Sequence, residues 1–431
     1  MKRYLALTML MASLFVHCAE ARTPVRVWVP WDGPDGEAIA AAAKAFNKEQ
    51  GEYDVQVSVV PAAGIDASAD DSQAGQFLTA VRSGNPPDLV LYWGNDVIAG
   101  LVAKNAIAPL DALLGPVQLG SFAFNSAAWE SMKYAGHVWG VPQMINARLL
   151  FINSAHAQAA GLDVRKPPQT IKELDAWAER MTQRDAAGAI RRLGFLPWSG
   201  QGKPDIWTGY FGGALIDPVT RRPNVQNVGT LEAAQWFERT ARKWGPEHLA
   251  RFTASFANIK QSSAGDPFVE GRVSMQVNGA WHANFIRKAN PNLKYVVARV
   301  PVGGAGKYGS TFIDGNTWLL PRGAKSPQGA MQFVSWISQG RRNAELADRV
   351  YNVSPVRDAL PYQQSLGDPA IRLSVAMVSN PGSFALPQSE QMLVVRRELE
   401  AGFADVVAGT ATATDMLAAV QKQLDGQKPA R

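Results

Sequence analysis

Tyr134–Asn153, YAGHVWGVPQMINARLLFIN, is the stretch on which the reading of the fold turns. Two strand-like runs, Val138 to Val141 and Arg148 to Ile152, flank the polar and flexible residues Gln143, Met144, Ile145 and Asn146, and Pro142 fixes one backbone φ. Such a segment suits a hinge at which the chain leaves one lobe and enters another. It equally suits an ordinary buried strand pair, so the flanking sequence has to separate the two.

Upstream, Val25 to Trp31 (VRVWVPW) alternates Val25, Val27, Val29 and Trp31 against Arg26, Trp28 and Pro30, as a strand does, and a helix follows. Asp35 or Gly36 caps that helix, Glu37 sits in its first turn where the macrodipole favours a carboxylate, and Ile39, Ala42, Ala43 and Phe46 share an apolar face. Val55 to Val60 reads as the next strand, Gln73 to Arg82 as a helix, Asp88 to Trp93 (DLVLYW) as a strand and Ile98 to Lys104 as a helix. The alternation gives βαβ units whose parallel strands need helices on their faces, which makes the class α/β.

Open α/β sheets bind ligands beyond the carboxyl ends of their strands. Two ends stand out: Trp31-Asp32-Gly33 after the first strand and Trp93-Gly94-Asn95-Asp96 after the third. Each sets an aromatic ring beside an acid or amide. That combination suits a sugar, because a flat ring packs on a pyranose face while carboxylates and amides hydrogen-bond its hydroxyls. Trp28, inside its strand, is expected in the core.

Beyond the crossover, Thr170 and Glu173 form a capping box, and Leu174, Trp177 and Met181 share a helix face. A loop carrying Trp198, Asp205, Trp207, Tyr210, Gly212 and Gly213 either faces a cleft or packs a small satellite core. Tyr295 to Val302 reads as a strand returning to the first lobe. Gly304 to Gly309 matches G-x-G-x-x-G letter for letter, but Ser310 to Leu320 looks extended where the dinucleotide fingerprint must open a helix. A helix starts at Ser326-Pro327, a further interlobe link is expected near Gly340, and helices near Glu390 to Phe403 and Thr414 to Leu424 close the chain.

Lys2 and Arg3, an apolar run from Leu5 to Val16 and Ala19-Glu20-Ala21 read as a secretory signal peptide over residues 1–21. Its cleavage removes Cys18, the only cysteine; Val16-His17 before it is a poor match to a lipid-attachment site. The net charge of +6 is mild, and the arginine doublets, among them Arg396-Arg397, are scattered, so no phosphate-tracking stripe for nucleic acid is present. His137, His156, His248 and His282 lie far apart in sequence without metal-ligand spacing, and neither a P-loop nor a G-x-S-x-G elbow occurs. No cofactor and no metal are expected.

The wording of the chain resembles the family 1 extracellular solute-binding proteins of ABC importers, whose best-known members bind maltose and oligosaccharides. Several segments carry the resemblance: Trp139-Gly140, Pro142 and the strand ending in Asn153; Ala45-Phe46-Asn47-Lys48-Glu49; Gly84-Asn85-Pro86-Pro87-Asp88; Ala106 to Asp111; Gly161-Leu162 before Pro167-Pro168-Gln169-Thr170; and Asn278-Gly279-Ala280-Trp281. The resemblance implies a two-lobe, type II periplasmic-binding-protein-like fold with three interlobe links. Lobe 1 is expected over 22–143 and 301–338, and lobe 2 over 144–300 and 339–431. The crossover residues Asn146 and Arg148 then line a ligand cleft, and Trp281 stacks on the sugar.

The expected binding residues are Trp31, Asp32, Trp93, Asn95, Asp96, Asn146, Arg148, Trp198, Trp207, Trp281 and Asp314. The implied protein is a periplasmic monomer that binds a mono- or oligosaccharide without altering it and delivers it to an inner-membrane ABC permease. Polyols and glycerol phosphates remain alternative solutes. An exported glycoside hydrolase or lyase, with Asp32, Asp96, Asp205 and Asp314 as its acids, is the rival chemistry.

Overall fold

The computed structural model describes residues 21–60, 74–94, 96–119, 123–256 and 264–426, so nearly all of the expected signal peptide lies outside it. In chain order the strands are β1 (Thr23–Val29), β2 (Tyr53–Val59), β3 (Leu89–Trp93), β4 (Lys133–Tyr134), β5 (His137–Val138), β6 (Gly140–Asn146), β7 (Arg148–Asn153), β8 (Gln183–Arg184), β9 (Ile190–Gly200), β10 (Val273–Gly279), β11 (Tyr295–Arg299) and β12 (Asp314–Leu319). They form two five-stranded sheets, β2-β1-β3-β12-β6 and β11-β7-β10-β9-β8, with β4 and β5 making a separate hairpin. The fold is α/β in two lobes. No helix among the described residues is long and apolar enough to cross a membrane.

In the first sheet β2, β1 and β3 run parallel and β12 runs antiparallel to both β3 and β6. Val25, Val27 and Val29 are wholly buried, as the alternation requires, and the helix Gly33–Glu49 lays Ile39, Ala43 and Phe46 against this sheet. Phe46 meets Phe333 and Trp336 edge to face. Asp88 is buried, and its carboxylate accepts the backbone N–H groups of Arg26, Lys325 and Ser326, which fastens the strand ends to the Ser326 turn. The capping box at Thr170 and Glu173 is formed.

The crossover differs from a flexible loop. Residues 140–146 form one continuous strand paired with β12, all seven residues are buried, and β7 follows after Ala147 alone. Backbone pairing on the first sheet therefore holds Gln143 to Asn146 extended, and the change of sheet falls at Ala147. The chain returns between β11 and β12. After Gly340 it stays with the first sheet: in the helix Gly340–Arg349, Ala344, Leu346 and Ala347 belong to the same core as Phe46 and Trp318, as do Val350, Val356 and Ala359. Ile371 and Val375 of the helix Pro369–Val378 pack instead with Leu149 and Phe151 of the second sheet. The next change of side thus falls between Ala359 and Pro369, about two helices later than Gly340.

The aromatic segment after Trp198 is not a loop. It consists of the end of β9 and a helix, Pro204–Tyr210, opened by proline at its first turn. Trp207 and Tyr210 point into the second core with Phe195 and Trp236, and the Trp207 indole N–H donates to the Pro197 carbonyl at 2.8 Å.

Candidate functional site: the interlobe cleft

The first lobe presents the carboxyl ends of β1 and β3. Trp31 is half-buried against the core, and its carbonyl lies so close to Gly36 that any Cβ there would collide with it, which fixes the turn from strand to helix. Asp32 sits at the N-cap of the helix Gly33–Glu49, is exposed, and makes no side-chain capping bond. Trp93 ends β3 with 42% of its surface exposed and pairs across the sheet with Asn316, a buried polar residue of β12. Asn95 lies outside the described residues.

The second lobe answers with an aromatic pair. Trp281 is half-buried at the start of the helix His282–Ala289, its indole folded over Gly279, and its ring meets Phe285 edge to face at 5.8 Å. Phe285 is 44% exposed. One turn further on, Lys288 acts on Asp35 of the first lobe, so the helix of Trp281 faces the helix that Asp32 caps. Burial pushes the Asp35 carboxyl up to about 6, and the Lys288 charge pulls the other way.

Two of the sheet changes bring an ion pair together. Arg148 opens β7 and Asp314 opens β12; they pair through Nη1 to Oδ1 at 3.1 Å and Nη2 to Oδ2 at 2.5 Å. The Arg148 guanidinium also lies 3.4 Å from the Gln201 amide oxygen and over the Phe312 ring. Asn146 stands opposite Asp314 in the β6–β12 register, buried, and its Oδ1 has no hydrogen-bond partner among the described residues.

Asp96 is joined to the second lobe. Its Oδ2 accepts from Arg396 Nη1 at 2.7 Å, while Arg396 Nε lies 2.9 Å from Asp205 Oδ2. The second contact is ionic, because neither it nor any other described group gives Asp205 an aligned hydrogen bond. Burial opposes the Arg396 charge, and the Asp205 and Asp96 carboxylates outweigh it, so this arginine is held protonated. Nearby, Gln388 accepts from the Ala99 N–H and donates to the Ser131 carbonyl, and Tyr134 donates to Glu390.

Of the expected residues, Trp31, Asp32, Trp93 and Asp96 lie at or just beyond the carboxyl ends of first-sheet strands, Asn146, Arg148 and Asp314 where the chain changes sheets, and Trp281 at the start of the helix whose Lys288 acts on Asp35. Trp207 does not: it is wholly buried in the second core. Trp198 meets Phe237 at a tilt of 37° and lines a cavity of about 460 Å³ in the second lobe, with Leu249 and Phe403. The sequence reading passed over Gln201, Phe285 and Arg396. The last read as half of a solvated basic doublet, and only its place beside the buried Val395 and Leu399 hinted otherwise.

Two α/β lobes joined where the chain changes sheets, with aromatic rings and carboxylates at strand and helix ends, have the architecture of a two-lobe binding protein. The family profile described as bacterial extracellular solute-binding protein matches residues 41–369, and the chain belongs to that family. A solved structure, CpMnBP1 with mannobiose bound, is similar over 94% of this chain and all of that one, at 36% identity and a TM-score of 0.83. The sn-glycerol-3-phosphate-binding periplasmic protein of Rhizobium meliloti is 26% identical over 46% of this chain and 45% of its own length. The maltotriose-binding protein of Pyrococcus abyssi is 24% identical over 60% of this chain and 52% of its own. The chain thus spans about half the length of these two relatives.

Proposed function

We propose that this protein captures a mono- or oligosaccharide between its lobes and delivers it to an inner-membrane ABC permease, acting as a periplasmic monomer. The observation that carries this reading is the approach of Lys288 to Asp35, which sets the helix carrying Trp281 and Phe285 against the helix that follows Trp31 and Asp32. Sugar rings stack on such faces, and their hydroxyls donate to carboxylates. The similarity to CpMnBP1, solved with mannobiose and with mannotriose, supports a manno-oligosaccharide as the first candidate.

In this reading lobe 1 comprises 22–146 and 314–359, lobe 2 comprises 148–299 and 369–426, and the three passages between them are the hinge. The protein binds without catalysis. A glycosidase needs one carboxyl free to give a proton and a second free to attack or activate water. Asp96, Asp205 and Asp314 each lie against an arginine, which occupies carboxylate oxygens that a glycosidase would turn towards its substrate.

Calorimetric titration with mannobiose, mannotriose and maltose, followed by chromatography of the recovered sugar, tests both statements. Saturable binding with intact sugar is the expected result. Steady cleavage would replace the binder by the hydrolase, and no heat with any carbohydrate would remove the sugar assignment.

A further inference from the structure

The relatives divide between sugar binders and binders of a phosphorylated solute, and the charges at the cleft bear on that division. Phosphate recognition relies on arginine or lysine groups that meet the ligand unneutralised. Here the two guanidiniums that the links and the facing helices bring together are both engaged: Arg148 grips both oxygens of Asp314, and Arg396 lies between Asp96 and Asp205. Lys203, on the turn entering the Asp205 helix, pairs with Glu400 at 3.2 Å. One arginine between two carboxylates leaves a negative surplus; at the helix ends Lys288 acts on Asp35, and Asp32 adds a further carboxylate.

We infer, building on the proposed function, that Asp96, Asp205 and Asp314 set the selectivity of the cleft by cancelling Arg396 and Arg148, so that it accepts neutral, hydroxyl-rich solutes and turns away phosphorylated ones. A phosphate monoester carries nearly two negative charges at neutral pH. To reach either arginine it must displace a buried carboxylate or stand beside it, and like charges at that distance repel. A hydroxyl meets no such obstacle. It donates to carboxylate oxygens, and those of Asp205 are buried with no hydrogen-bond partner among the described residues. The same three carboxylates therefore repel one class of solute and offer acceptors to the other.

The test is titration of the purified mature chain with mannobiose and with sn-glycerol 3-phosphate at low ionic strength, where electrostatic effects are least screened. The wild type is expected to bind glycerol 3-phosphate about 100-fold more weakly than mannobiose or worse, as several kcal/mol of like-charge repulsion would produce. In Asp96→Asn/Asp205→Asn, which keeps shape and releases Arg396, glycerol 3-phosphate should tighten about tenfold or more, with the gain lost at high salt. Should the double variant fail to fold, Asp96→Asn alone is read in the same way, and the wild-type ratio stands independently. Wild-type affinity for glycerol 3-phosphate equal to that for mannobiose, or no gain in a folded variant, overturns the inference. Absence of mannobiose binding, with glycerol 3-phosphate still tightening in the folded variant and losing that gain at high salt, would instead overturn the sugar assignment and leave the charge argument standing.

Discussion

Arg148 and Asp314 grip one another at the two places where the chain changes sheets, the first residue of β7 against the first residue of β12. Only 4% of the arginine side chain and 15% of the aspartate are exposed, so each neutralises a charge that water scarcely reaches. Removing one member strands the other. Arg148→Met or Asp314→Leu alone should cost about 3 to 5 kcal/mol in urea denaturation, and the double variant should recover much of that loss. Additive losses would show that the two residues act separately.

Trp281 and Trp207 are chemically alike and differently placed. Trp281→Ala should weaken carbohydrate binding by about 1 to 3 kcal/mol, since it truncates an aromatic face at the ligand, with little change in melting temperature. Trp207→Ala opens a cavity among Phe195, Tyr210 and Trp236 and should cost about 3 to 5 kcal/mol of stability. Melting curves and calorimetric titration on the same samples separate the two effects. A Trp281 variant that melts early yet binds normally would place that residue in the core.

Acid should destabilise the protein, and its sign follows from two histidines. Burial and the Arg192 charge hold His156 down to about 4, and burial holds His282 down to about 4 as well, against the ordinary 6.5. Both are neutral when folded, so the stability they contribute is complete above pH 6.5 and is lost as pH falls towards 4. Asp35 opposes them: its folded value of about 6 lies above the ordinary 3.8, so acidification over that window favours the fold. Two groups outweigh one, and melting temperature should fall between pH 6.5 and 4.5, more steeply in Asp35→Asn and less steeply in His156→Gln. A melting temperature that rises on acidification contradicts this.

Ligand should draw the lobes together. Asp96–Arg396 and Tyr134–Glu390 cross from the first lobe to the second, and a solute shifts the lobes only by its preference for the arrangement in which both sides touch it. Solution scattering should show a smaller radius of gyration with saturating sugar, and Arg396→Gln should blunt that change together with affinity. Coincident scattering curves with and without sugar would rule out closure.

Much of the architecture was legible in the residue pattern. Valines at alternate positions of β1, the capping box at Thr170 and Glu173, and the proline-opened helix after Ser326 are local signals, and tertiary structure left each of them in place. The crossover was legible as a change of lobe but not as continuous strand, because Gln143 to Asn146 are held extended by pairing with β12, some 170 residues away. Trp207 illustrates the limit for side chains. Irregular spacing among glycines and prolines left a cleft-facing loop and a small packed core both open, and the Pro204 helix turns the ring inward.

What the sequence by itself determined is therefore the set of elements, their α/β alternation and the aromatic-acid pairs at strand ends, since period, capping and strand-end chemistry act over a few residues. Only the tertiary structure decided which charges meet. Arg396 reads as one of a solvated pair until the fold brings Asp96, 300 residues earlier, and Asp205 against it. Charge pairing depends on distance in space and on exclusion of water, and neither is written in the spacing of residues along a chain.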